Sequence, residues 1–162
     1  MSVKGLFVMD LSDLLSPDSI VPALKANSKK QVIQELAGRA ASRVHLPERD
    51  IFDTLLQRER LGSTGVGHGV AIPHGKLVAL DRLVGIFARL QRPVDFDALD
   101  DEPVDIIFLL LAPEGAGADH LKALARIARQ LRDPTIIAKL RATSDPAALY
   151  ALLTQPLASN AA

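Results

Sequence analysis

The chain contains no cysteine. That absence removes disulfides, thiolate zinc sites and cysteine nucleophiles together. Neither charge is in excess: 19 Lys and Arg stand against 19 Asp and Glu, a formal net charge of +0, so nothing in the balance argues for nucleic acid or an anionic membrane surface. No segment approaches the roughly 18 apolar residues of a membrane span. The apolar run before Asp10 in "MSVKGLFVMDLSDLL" is too short for a signal peptide. A cytoplasmic protein is the expectation. What the chain does have is 162 residues at 48% hydrophobic content, enough for one globular domain with little left for a second.

Periodicity divides that domain into helices and strands. "SKKQVIQELAGRAASRV" sets Val32, Ile33, Leu36, Ala37, Ala40 and Val44 at helical spacing, behind Ser28 and Gln31 in capping-box positions. "LPERDIFDTLLQRER" predicts a second helix, with Pro47 in its first turn, a stripe of Ile51, Phe52, Leu55 and Leu56, and an end at Gly62. "GVAIP", "RLVGIFARLQ" and "PVDIIFLLLAP" read as strands, the last too continuously apolar to have a polar face. "SIVPALKA" adds a strand near a sheet edge, because Pro22 cannot donate to a ladder. Beyond the loop "PEGAGAD", a helix capped by Asp119 carries Leu121, Leu124, Ala125, Ala128 and Leu131. "DPTIIAKL" and "DPAALYALL" open two short helices with a cap and a proline at the first helical position. The expected fold is α/β, a single-domain sandwich of a mixed sheet flanked by helices over residues 1–155, with a disordered tail at 156–162.

The segment that invites chemistry is "GSTGVGHGVAIPHGK", Gly62 to Lys76, with five glycines, one proline and two of the four histidines. Glycines suggest a phosphate cradle, but the spacing fails both nucleotide patterns. A Walker loop needs four residues before Gly-Lys-Ser/Thr, whereas five separate Gly69 from Gly75 and Leu77 follows Lys76. A dinucleotide fingerprint lacks its third glycine and its helix. His68 and His74, six apart and expected on one strand face, match no zinc motif, and His45 and His120 could join them only through tertiary folding. No G-x-S-x-G elbow occurs around Ser63. No metal or cofactor is expected.

Covalent chemistry on histidine remains, since a neutral imidazole is nucleophilic near neutral pH. Pro73 and Gly75 flank His74 and would fix its direction. Arg58 and Arg60 close the upstream helix and could meet a phosphoryl charge. Ser63, Thr64 and nearby amides could donate to its oxygens, although hydroxyls beside glycine are commonly plain turn residues. Asp95 and Asp97 read as turn residues, and His45 as part of a helix connection.

These residues carry a resemblance. "RERLGSTGVGHGVAIPHGK", with "PVDFDALDDEPVDIIFLLLAP" and "DHLKALARIARQLRD", is similar to the mannitol/fructose-type enzyme IIA proteins of the bacterial phosphoenolpyruvate phosphotransferase system, most of all to the nitrogen-regulatory branch. It covers nearly the whole chain. The resemblance implies that His74 is the phosphorylated residue, that Arg58 lies at the phosphoryl site and that His120 is a second active-site histidine, which reads as a hydrogen-bond donor to the phosphoryl group; of the two hydroxyls, Thr64 rather than Ser63 is the candidate for the same site. His68 is expected nearby but not required. The implied partner is a phosphocarrier of the HPr or NPr type, docking on an apolar patch for which Val66, Val70 and Leu77 are candidates. The phosphorylation state would act as a signal to targets such as potassium-transport regulators. A sugar-transport IIA passing the phosphoryl group to a separate IIB, and a docking module that is never phosphorylated, are the alternatives.

Overall fold

A strand with no polar face belongs in the middle of a sheet, and β6 (Val104–Pro113) sits there in the computed structural model, which describes residues 11–155. The tail expected to be disordered, 156–162, lies outside the described residues, as do residues 1–10 of the segment read as too short for a signal peptide. On one side β6 pairs antiparallel with β5 (Val84–Val94), Phe87 opposite Phe108. On the other side it pairs parallel with two short strands in succession, β3 (Val70–Ala71) and then β4 (His74–Leu77). β1 (Ile20–Leu24) runs parallel to β5 at one edge, where Pro22 needs no ladder partner. β2 (Gly65–Gly67) pairs antiparallel with β3 at the other, giving a six-stranded mixed sheet.

Side chains alternate across this sheet into two apolar clusters. Ile107, Leu109 and Leu111 of β6 pack with α1 (Lys29–Val44) and α2 (Glu48–Leu61), against Ile33, Leu36, Ile51 and Leu55. Ile106, Phe108 and Leu110 face α3 (Ala118–Arg132), α4 (Pro134–Ala142) and α5 (Pro146–Thr154). Each such side chain removed from water contributes about 1.5–3 kcal/mol. The mixed sheet between helices is the architecture expected from the pattern.

Local signals held where a side chain meets a backbone group. Ser28 caps α1 by accepting from the Gln31 N–H; the return bond from Gln31 goes to the Asn27 N–H, one residue earlier than a strict capping box. Asp133 and Asp145 cap α4 and α5, each followed by proline. His45 ends α1 in the left-handed conformation.

Three expectations need correction. The cap of α3 is Gly117, at φ 51°, rather than Asp119; the chain turns into the helix two residues early and leaves Asp119 in the first turn, where its charge still suits the dipole. The buried face of α3 is His120, Ala123, Ile127, Gln130 and Leu131, so the predicted stripe was rotated and Leu121 is exposed. His68 and His74 do not share a strand: a turn at residues 68–69 and Pro73 break the segment, and His68 occupies the turn at φ 58°.

Gly85 lies where β5 leaves no room for a side chain. A Cβ there would lie 2.7 Å and 2.9 Å from the Phe108 ring and 3.3 Å from the Leu14 carbonyl. Gly85→Ala should therefore destabilise the fold by about 1–3 kcal/mol through overpacking, read as a lower midpoint in urea unfolding at unchanged slope.

Candidate active site

β4 brings its first residue, His74, to the end of the short-strand edge. His74 and Lys76 point to one face of the strand, and Gly75 and Leu77 are buried on the other. A Cβ on Gly75 would lie 2.7 Å from the Thr54 methyl of α2. The glycine is what lets α2 pass close to β4, and this closeness carries Arg58, one turn beyond Thr54, to the imidazole.

The ring is held at both nitrogens. Ladder pairing is interrupted at residues 72–73, because Pro73 has no N–H, and the Ile72 carbonyl lies 2.8 Å from His74 Nδ1. On the other side Arg58 Nε donates to His74 Nε2 at 3.3 Å. A guanidinium only donates, so Nε2 carries the lone pair and Nδ1 carries the proton given to Ile72. Arg58 is itself anchored, Nη1 donating to the Gly62 carbonyl at 2.8 Å. Burial pushes the His74 pKa below its ordinary 6.5, the Ile72 bond pulls it back, Arg58 lowers it and Glu59 raises it. The net direction is down, which favours the neutral, nucleophilic ring at neutral pH.

α3 supplies the second histidine. His120 is buried, its ring edge-on to His74 with centroids 5.6 Å apart. Its Nε2 has no hydrogen-bond partner. Burial lowers its pKa, and the neighbouring His74 and Lys76 lower it further. Around the two rings lies a depression of about 570 Å³, lined by Gln57, Arg58, Arg60, Leu61, Lys76 and Thr54 among others. Among the described residues no three His, Cys, Asp or Glu side chains converge as a metal site would need.

Thr64 is buried in the turn after α2, and both its hydroxyl and its N–H donate to the carboxylate of Glu59. In this arrangement its hydroxyl proton faces Glu59. Ser63 donates to the Phe96 carbonyl and accepts from the Gly65 N–H, the turn role. Asp97 also shows the turn role, its N–H donating to Asp95. His68 stands apart: its N–H donates to Asp100, its carbonyl accepts from Arg141, and its side chain lines a separate cavity with Arg132 and Ile137. Of the apolar docking candidates only Val66 is exposed. Val70 and Leu77 are 1% and 7% exposed because both serve the core. The exposed apolar side chain lining the depression is instead Leu61, at 85% exposure, while Leu121, next to His120 in the chain, is 69% exposed. The sequence reading also passed over Glu59 and Lys76.

Residues 13–155 match the family described as phosphoenolpyruvate-dependent sugar phosphotransferase system, EIIA 2, and the chain belongs to it. Its relatives point to the regulatory branch. The nitrogen regulatory protein of Bradyrhizobium diazoefficiens is 61% identical over 153 residues, covering 94% of this chain and 100% of that one. The nitrogen regulatory protein IIA-Ntr of Neisseria meningitidis superposes with a TM-score of 0.85 at 38% identity, covering 89% of this chain and 99% of its own. The mannitol IIA of Escherichia coli shares the fold, with a TM-score of 0.73 at 22% identity over 86% of this chain and 98% of that one. No helix among the described residues is long and apolar enough to cross a membrane.

Proposed function

We propose that this IIA protein accepts a phosphoryl group on His74 Nε2 from the phosphohistidine of an HPr- or NPr-type phosphocarrier, and that the charged state serves as a regulatory signal in the cytoplasm. One observation carries the reading: the Nδ1 proton is held by Ile72, so the only lone pair on the ring lies at Nε2 beside Arg58. The Arg58 N–H gives up its bond to the Nε2 pair and turns to the phosphoryl oxygens as that pair attacks phosphorus; the donor's N–P bond breaks, and its electrons return to the donor imidazole. Positive charge developing on the His74 ring is shared with the Nδ1–H bond to Ile72.

The transition state is loose, and its catalysis is mostly positioning and charge stabilisation. Arg58 meets the charge of the transferring group from one side. The free Nε2 of His120, as an N–H, donates from another, and with His120 its tautomer follows from that role. Thr64 keeps the turn beneath the site. Leu61 and Leu121 form the apolar rim on which a carrier can dock. A dianion placed between them changes the surface a regulatory target meets, penalising an interface tuned to the neutral ring. Targets of potassium-transport type are those the nitrogen-regulatory resemblance suggests.

The test is intact-mass spectrometry after incubation with phosphoenolpyruvate, enzyme I and the phosphocarrier. A single acid-labile phosphoryl adduct is expected. Its absence under conditions that charge a control IIA would overturn the proposal and leave a docking module.

A further inference from the structure

Glu59 is a carboxylate whose side chain is only 2% exposed, and the transfer chemistry above gives it no task. Burying such a charge is costly unless it is fully engaged, and here it is. Oε2 lies 3.0 Å from Lys29 Nζ and accepts the Thr64 N–H at 2.9 Å, while Oε1 accepts the Thr64 hydroxyl. Lys29, at the start of α1, reaches on to Asp97 at 3.3 Å and lies 5.3 Å over the Phe96 ring.

We infer that Glu59, with Lys29 as its counter-ion, is a positioning residue that sets the turn after α2 and so aims Arg58 at His74; this rests on the phosphoryl-transfer reading. The turn is closed at two places. The Gly62 N–H donates to the Glu59 carbonyl at 3.1 Å, and two residues later Thr64 is pinned to the Glu59 carboxylate. The Gly62 carbonyl between these points is the anchor of Arg58 Nη1. A guanidinium held at one end by that carbonyl has its Nε fixed toward His74. Releasing Thr64 lets the Gly62 carbonyl move, and Arg58 moves with it. The same carboxylate, paired with a lysine on α1, ties the turn to a second helix, so the aim of Arg58 depends on how α1 and α2 pack.

Glu59→Gln keeps the shape and offers one acceptor oxygen where the carboxylate had two. Its charging rate at saturating phosphocarrier should fall about 10- to 100-fold, the scale of a sub-ångström to ångström misplacement, with KM changed by less than about twofold, since the docking rim is untouched. Thr64→Val, which removes the hydroxyl alone, should slow charging by a smaller factor. The double variant should be no slower than Glu59→Gln by more than about twofold, because both act through one bond pair. Wild-type charging by Glu59→Gln, or penalties that multiply in the double variant, would overturn the inference. A rate loss confined to KM would do the same.

The imidazole nitrogen-15 signals of the uncharged protein provide a readout independent of transfer. Loss of the Arg58 bond should move the His74 Nε2 signal in Glu59→Gln, and an unmoved signal counts against the positioning role even if transfer slows. If the wild type takes up no phosphoryl group while this signal shifts as expected, the transfer reading fails and the positioning of Arg58 stands.

Discussion

His74→Ala should take up no phosphoryl group, whereas His68→Ala should charge at the wild-type rate. The contrast follows from where each ring lies. His74 has its Nδ1 proton fixed by Ile72 and its Nε2 pair presented beside Arg58, so replacing it removes the attacking atom. His68 sits in the turn between β2 and β3, bonded through its backbone to Asp100 and Arg141, and its ring lines a different cavity. Intact-mass spectra of the two variants check the claim. An adduct that persists in His74→Ala and disappears in His120→Ala would make His120 the acceptor instead. The pH dependence has a definite sign. Burial, the first cause, and Arg58 hold the His74 pKa below 6.5 against the opposing Ile72 bond and Glu59 charge. The neutral ring therefore persists at pH 6.5, where an unperturbed histidine is half protonated, and the charging rate should fall only at lower pH.

Most of the fold was readable because its signals are apolar. β6 could be placed at the centre of a sheet from its continuous hydrophobic run, and α1 from five buried residues at helical spacing. The errors have a common cause. On α3 the hydrophobic residues Leu121 and Ala125 set the predicted phase, but the side actually buried includes His120 and Gln130. The helix turns polar groups inward at the site, and a pattern that counts only apolar residues rotates away from them. Glu59 carried a legible signal that was passed over: Ile51, Leu55 and Glu59 fall at i, i+4 and i+8, so the carboxylate stands on the buried stripe of its own helix. The docking patch failed differently. Val70 and Leu77 flank the active-site segment in sequence, yet strand alternation and pairing with β6 turn both into the core. Which valine or leucine faces outward beside His74 is settled by the ends of α2 and α3, distant in sequence.

Arg58→Gln should lower the charging rate about 10²- to 10³-fold, the loss found when one preorganised donor to a developing charge is removed. The magnitude is consistent with electrostatics, since two unit charges about 4 Å apart interact by about 4 kcal/mol at an effective dielectric of 20. Arg58→Lys should recover only part of the rate. A lysine ammonium is a single centre, and it cannot both anchor on the Gly62 carbonyl and hold a planar N–H toward His74, as the two guanidinium nitrogens do. Losing the positive charge also raises the His74 pKa toward its ordinary value, because Arg58 is one of the causes that depress it, although burial, the largest cause, remains. Part of any loss could then reflect a more protonated ring. Single-turnover rates measured as a function of pH separate the two effects. A loss through protonation disappears above about pH 7.5, a full unit beyond the unperturbed histidine pKa, whereas a loss of charge stabilisation at the transferring group persists there. The second outcome is expected, and full recovery of the Arg58→Gln rate at high pH would instead reduce Arg58 to a modulator of the His74 proton.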